Sequence, residues 1–290
     1  MAKPNGEGEV TRVLRKVGRT LDQGKYDEAL RDLLHLSEKY PDAGEIRPQI
    51  AEVLLRRGQS REKRGKTREA RADFERSLNW TPKAEALAAL ARSLMAEGKL
   101  DRAHELLNGA LEIDDTYGPT HEAIGKLMLL WQEYSEAARA FEQALGLGHA
   151  TPDLYQSAWD AYMRLEHFDR AHELILEGVE RFPESDALQL AAGDSFVYAR
   201  GESAEARPYW RRAAELNPRS FMALFNLAGD AAAAGKRTEA LGLLRRAADV
   251  DLERAQRLWK DDLSQPLKKF GDFARDVEFG KALGLEADQG

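Results

Sequence analysis

The stretch Gly98–Asp115, GKLDRAHELLNGALEIDD, decides the fold. It opens on a Gly-Lys turn and continues as an amphipathic helix. A small residue, Ala103, stands near the helix start. A bulky apolar residue, Leu107, follows one turn later, and then the pair Ala110 and Leu111. The same pattern returns along most of the chain. With Ala103 as anchor, equivalent alanines stand at Ala29, Ala70, Ala137, Ala171, Ala206 and Ala240, so that successive spacings are 41, 33, 34, 34, 35 and 34 residues. A period of that size marks an array of stacked supersecondary units.

The surrounding positions repeat too. Five residues before the anchor stand Gly24, Gly65, Gly98, Gly201 and Gly235, with Gln132 and Glu166 in the other two copies. Four after it stand Leu33, Phe74, Leu107, Phe141, Ile175, Trp210 and Leu244; twelve after it stand Pro41, Pro82, Pro183 and Pro218 in four of the copies. Each has a physical reason. Glycine lets a helix end in a left-handed turn. Alanine lets two helices approach closely. The bulky residue one turn on fills the space between neighbours. Proline stops the second helix, because it has no amide hydrogen to donate. Each unit is therefore a helix hairpin that must stack on the next to bury its apolar face.

These motifs resemble the tetratricopeptide repeat (TPR) family, over roughly Val10 to Arg254, most closely in GKLDRAHELLNGAL, EYSEAARAFEQAL and AEARPYWRRAAELNP. The resemblance implies an all-α fold, a right-handed α-solenoid of stacked antiparallel helix hairpins. The expected organisation is an unstructured 1–9, seven repeats over 10–254, capping helices over 255–285 and an unstructured 286–290. The spacing of 41 predicts a lengthened first helix in repeat two, about 45–64. After it the chain is expected to form a helix over Glu253–Leu263, then to continue an apolar series through Leu267, Phe270, Phe273, Val277 and Phe279. Trp159 and Asp194 stand where the family favours a small residue, and Ala158 and Gly193 beside them where it favours a large one, as if the sizes were swapped.

Composition narrows the function. With 43% hydrophobic and 32% charged residues, the chain suits a folded protein with much helical surface. Its net charge of −7, with both signs interleaved, argues against a whole-chain polyanion binder. No cysteine is present, which excludes disulfides, thiolate metal sites and a cysteine nucleophile. The start carries no apolar run of a secretory signal, and no segment is apolar enough to insert in a membrane, so a cytoplasmic protein is expected. Abundant Ala, Arg, Gly and Leu suggest a bacterial source.

The six histidines, His35, His104, His121, His149, His167 and His172, show no i, i+4 metal pair. They read as surface or packing residues, with His121 in an apolar slot and so expected in the core. Gly65-Lys66-Thr67 lacks the upstream glycine of a phosphate loop. No catalytic residue, metal or cofactor is expected, and the chain is not expected to be an enzyme.

Two surfaces remain. The resemblance implies peptide binding along the concave face, which the first helix of each repeat lines. By register from the anchors, that face would carry Arg92, Met95, Glu122, Lys126, Leu129, Gln156, Asp160, Met163, Ser195 and Tyr198. The expected partner is a protein or peptide segment, with oligomeric state left open. The set of Lys, Asn and Arg that the family uses for chaperone tails is absent. The alternative is the run Arg56–Arg71, RRGQSREKRGKTREAR, whose Arg56, Arg57, Arg61, Lys63, Arg64, Lys66, Arg68 and Arg71 would contact nucleic acid or an acidic partner. It has no aromatic interleaving for base stacking, and nucleic acid is the less expected ligand.

Overall fold

Seven anchor alanines, each no more than 1% exposed, set where the helices meet. In a computed structural model of the chain, the residues described are 5–201, 203–264, 270 and 276–285. Among them every regular element is an α-helix, sixteen in all. The chain divides into two units, Met1–His149 and Ala150–Gly290. The first holds four hairpins: α1 (Asn5–Asp22) with α2 (Tyr26–Lys39), α3 (Ile46–Lys63) with α4 (Thr67–Trp80), α5 (Ala84–Ala96) with α6 (Leu100–Ile113), and α7 (Gly118–Leu130) with α8 (Tyr134–Gly146). The second holds three: α9 (Pro152–Arg164) with α10 (Phe168–Arg181), α11 (Asp186–Arg200) with α12 (Ser203–Leu216), and α13 (Phe221–Ala233) with α14 (Arg237–Val250). It ends with α15 (Leu252–Ser264) and α16 (Val277–Ala282).

Within each hairpin the residue four after the anchor enters the partner helix. Phe74 and Phe141 need glycine opposite them: a Cβ on Gly58 would lie 2.5 Å from the Phe74 ring, and one on Gly125 2.4 Å from Phe141. Turns between the two helices share one closure. The residue five before the anchor takes positive φ, and in six of the seven hairpins its amide and the next donate back to the helix end, as Gly98 N–H does to Met95 and Lys99 N–H to Leu94. Each of the four prolines stands two residues beyond the end of its helix, as Pro82 does after Trp80. Within each unit the second helix of a hairpin packs on the first helix of the next, as α2 does on α3 and α10 on α11. The stacked hairpins thus form an all-helical solenoid.

The seven additional residues of repeat two divide between two places. Helix α3 has 18 residues against 13 in α7, and the other two residues lengthen the loop 40–45 relative to 114–117. At the N-terminus, 5–9 was expected to be unstructured, yet α1 begins at Asn5. Its first turns are held by the neighbouring helix: Glu9 accepts hydrogen bonds from Lys39 Nζ at 2.7 Å and Tyr40 Oη at 2.6 Å, and Val10 is buried. At the other end Trp259, Phe270 and Phe279 form a buried aromatic cluster against Phe225 and the rest of the α13–α14 core. Arg237 joins Asp276 through two hydrogen bonds of 2.6 and 2.9 Å. Leu267 and Phe273 of the expected apolar series, and the tail 286–290, lie outside the described residues. Among the described residues no helix is long and apolar enough to cross a membrane.

Candidate functional site: the face of the first helices

In the first unit the candidate residues lie on α5 and α7, whose surfaces pack side by side. Met95 and Leu129 are half-buried at the ends of their helices, one turn before the closing turn. The charged positions pair locally. Arg92 reaches Glu62 at 3.6 Å. Glu122 accepts from Lys126 at 2.7 Å and contacts His149 Nε2 at 2.6 Å. These side chains present apolar ends flanked by salt-bridged heads.

In the second unit Gln156, Asp160 and Met163 follow one face of α9, with Gln156 exposed and the other two half-buried. Asp160 pairs loosely with Arg164 at 3.4 Å. Tyr198, on the adjacent α11, is 61% exposed and stacks on Phe168. Ser195 departs from the expectation. It is buried, donates to the Ala192 carbonyl at 2.7 Å and meets His172 Nδ1 at 2.9 Å. It therefore offers nothing to a ligand on this face.

The reason is a one-residue shift. The spacing Ala171 to Ala206 is 35, and α11 has 15 residues where α9 has 13. The extra length falls after Gly193, so counting back from Ala206 by the usual number falls one place short. Gly193 takes the role of Gly58 and Gly125: a Cβ there would lie 2.5 Å from the Trp210 ring. Ser195 then occupies the inward place of Leu127 and Ala161, both fully buried. Asp194 takes the place equivalent to Arg92, Lys126 and Asp160, and Val197 that of Met95, Leu129 and Met163. The apparent size swap at Gly193 and Asp194 is this shift. Asp194 Oδ1 accepts from Trp210 Nε1 at 2.9 Å and Asn226 Nδ2 at 2.7 Å. Trp159 is a true departure, half-buried with its indole N–H unpaired.

The basic run is largely consumed by the fold. Arg57 is buried and holds Asp73 with two hydrogen bonds of 2.8 and 2.6 Å while reaching Asp27 at 2.5 Å. Arg61 also binds Asp73, Arg56 binds Glu52, and Arg71 binds Glu75 and Glu97. Burial pushes the Glu52 carboxyl up, but hydrogen bonds from Lys83 and Arg56 hold it below the ordinary range. Lys63, Arg64, Lys66 and Arg68 remain exposed, with no ion pair among the described residues. His121, expected in the core, is half-buried and bonds the Asp115 carbonyl at 2.7 Å instead. His172 is the histidine that is buried. Among the described residues no group of histidines and carboxylates is arranged to hold a metal ion.

Residues 63–124 and 190–256 each match a family model described as tetratricopeptide repeat. Those two stretches are tetratricopeptide repeats, and the chain is a helical repeat protein. No curated protein matches its sequence. Solved TPR-like structures do match its fold. Pseudomonas aeruginosa pilF superposes with a TM-score of 0.63 at 18% identity, covering 78% of this chain and 97% of its own. The C-terminal part of a TPR repeat-containing protein from Cytophaga hutchinsonii gives 0.58 at 15%, covering 84% and 98%. YrrB, described as a TPR protein with an unusual peptide-binding site, gives 0.53 at 23%, covering 64% and 97%. At these identities the likeness is one of fold.

TPR register alone missed Asp194 and Val197. The signal that finds them is the spacing of 35 together with Gly193, which a reading by the neighbouring glycines would have aligned with Gly58 and Gly125.

Proposed function

We propose that the protein is a non-enzymatic scaffold or adaptor that binds a peptide segment of a partner on the face of its first helices. One observation carries the reading. The anchor alanines and the bulky residues one turn on are buried, whereas Met163, Val197 and Tyr198 leave apolar surface open beside Asp160 and Asp194. Methionine offers an adaptable contact, and tyrosine a large rigid one with a polar tip. Arg92, Met95, Glu122, Lys126 and Leu129 supply a comparable mixed surface in the first unit. A modest single site of this kind corresponds to about −8 kcal/mol, a micromolar affinity. The TPR matches over 63–124 and 190–256 and the peptide-binding description of YrrB support the reading at the level of class.

The double variant Met163→Glu and Tyr198→Glu tests it. Both side chains are accessible, so the variant is expected to keep the helical signal and melting temperature while losing the partner. Retention of partner binding at wild-type strength contradicts the proposal.

A further inference from the structure

In the second unit the first-helix face is closed on its last hairpin. The places fifteen, eleven and eight before Ala171 carry Gln156, Asp160 and Met163 on α9, the first exposed and the others half-buried. The same places before Ala240 carry Phe225, Gly229 and Ala232 on α13, and all three are buried. Phe270 supplies part of the cover. It is fully buried, meets the Phe225 ring edge-on at 5.3 Å and lies 4.9 Å from the Trp259 ring of α15. Edge-to-face contact is a geometry that aromatic pairs favour. Phe270 comes after α14 and α15 in the chain, so none of the seven hairpins supplies it. It is also held from behind. Phe279 of α16 lies 6.4 Å from it, and Arg237 fastens α16 to α14 through Asp276 at 2.6 and 2.9 Å.

We infer that Phe270 is a built-in occupant of the first-helix face, held on α13 where an aromatic side chain of a partner segment would otherwise seat; this rests on the reading of that face as the peptide site. Two consequences follow. In this unit the face open to a partner ends on α11, at Val197 and Tyr198. On α13 the accepted chemistry is an aromatic ring, because Phe225 meets one there already. A tethered occupant acts at an effective concentration of about millimolar, which a free segment at micromolar concentration does not match. The apparent affinity of α13 for such a segment is its intrinsic affinity scaled by the fraction of molecules in which that place is unoccupied.

The probe is a labelled peptide of the chain's own sequence 264–272, SQPLKKFGD, titrated against the full chain by fluorescence anisotropy. Phe270→Ala vacates the place on α13 and is expected to bind the peptide about tenfold more tightly than wild type, or better. Phe270→Leu leaves an apolar side chain in the cap and is expected to gain about threefold. It carries the test if Phe270→Ala loses its fold, and a melting curve shows which variants are folded. A peptide with Ala in place of Phe is expected to gain nothing. Adding Phe225→Ala is expected to remove the gain, and adding Met163→Glu with Tyr198→Glu to leave it. Equal affinity of wild type and the folded variants overturns the inference, as does an equal gain by the Ala peptide. A gain that survives Phe225→Ala, or is lost with Met163→Glu and Tyr198→Glu, also overturns it, since the peptide would then lie elsewhere than on α13. The peptide-face reading itself stands or falls on partner capture by the Met163→Glu, Tyr198→Glu variant, so the two can fail separately.

Discussion

Gln132 and Glu166 hold φ of 64° and 58°, the only non-glycine residues with positive φ among those described. They stand where five other repeats have glycine, and they close the same turn: Gln132 N–H donates to Leu129 and Glu133 N–H to Met128. A side chain in this conformation costs about 1–2 kcal/mol, part of which glycine gives back by freeing the unfolded chain. Gln132→Gly and Glu166→Gly are each expected to stabilise the fold by about 0.5–1 kcal/mol, read as a rise in urea midpoint with the slope unchanged. The opposite holds at close approaches. Gly125→Ala places a Cβ against the Phe141 ring, and Ala103→Phe overpacks a fully buried site. Each is expected to lower stability by about 1–3 kcal/mol in the same measurement.

Among the elements, α16 shows how the array ends. Phe279 is fully buried between Trp259 and Phe270, and Phe279→Ala is expected to cost about 3–5 kcal/mol by thermal or urea unfolding. The polar latch on the same helix adds a pH dependence. Hydrogen bonds from Arg237 hold the Asp276 carboxyl below its ordinary 3.8. Stability from a depressed carboxylate pKa is fully present above the unfolded value and lost as pH falls through the folded one. The near-UV signal of the aromatic cluster is therefore expected to weaken as pH drops below about 4. Arg237→Gln is expected to remove most of that dependence while lowering stability at neutral pH.

The helices themselves were legible in the sequence because their determinants are local. Ala103, Leu107, Gly98 and the four stopping prolines act within one hairpin, and a period near 34 exposes them together. The rest depended on partners far along the chain. Arg57 reads as one cation in a basic run, and only folding brings Asp27 and Asp73 to it from 30 and 16 residues away. Helix α1 starts early because Lys39 and Tyr40 receive Glu9. Ser195 was misplaced because one added residue in α11 turns every upstream side chain by about 100°.

For the whole molecule, these packing residues leave a definite remainder. The anchor and bulky positions are used up in stacking, and half of the basic run is neutralised by the fold. Lys63, Arg64, Lys66 and Arg68 are the cations left at the α3–α4 turn. If they were the functional surface, Arg64→Glu, Lys66→Glu and Arg68→Glu together would abolish partner capture. If the first-helix face is, that triple variant should behave as wild type. The most direct measurement is quantitative affinity capture with three baits: wild type, Met163→Glu with Tyr198→Glu, and the triple charge reversal, each shown to be folded by its melting curve. The account predicts that proteins held by wild type are retained by the triple variant and lost at least tenfold by the double variant. Equal retention by the double variant, or loss confined to the triple one, would contradict it.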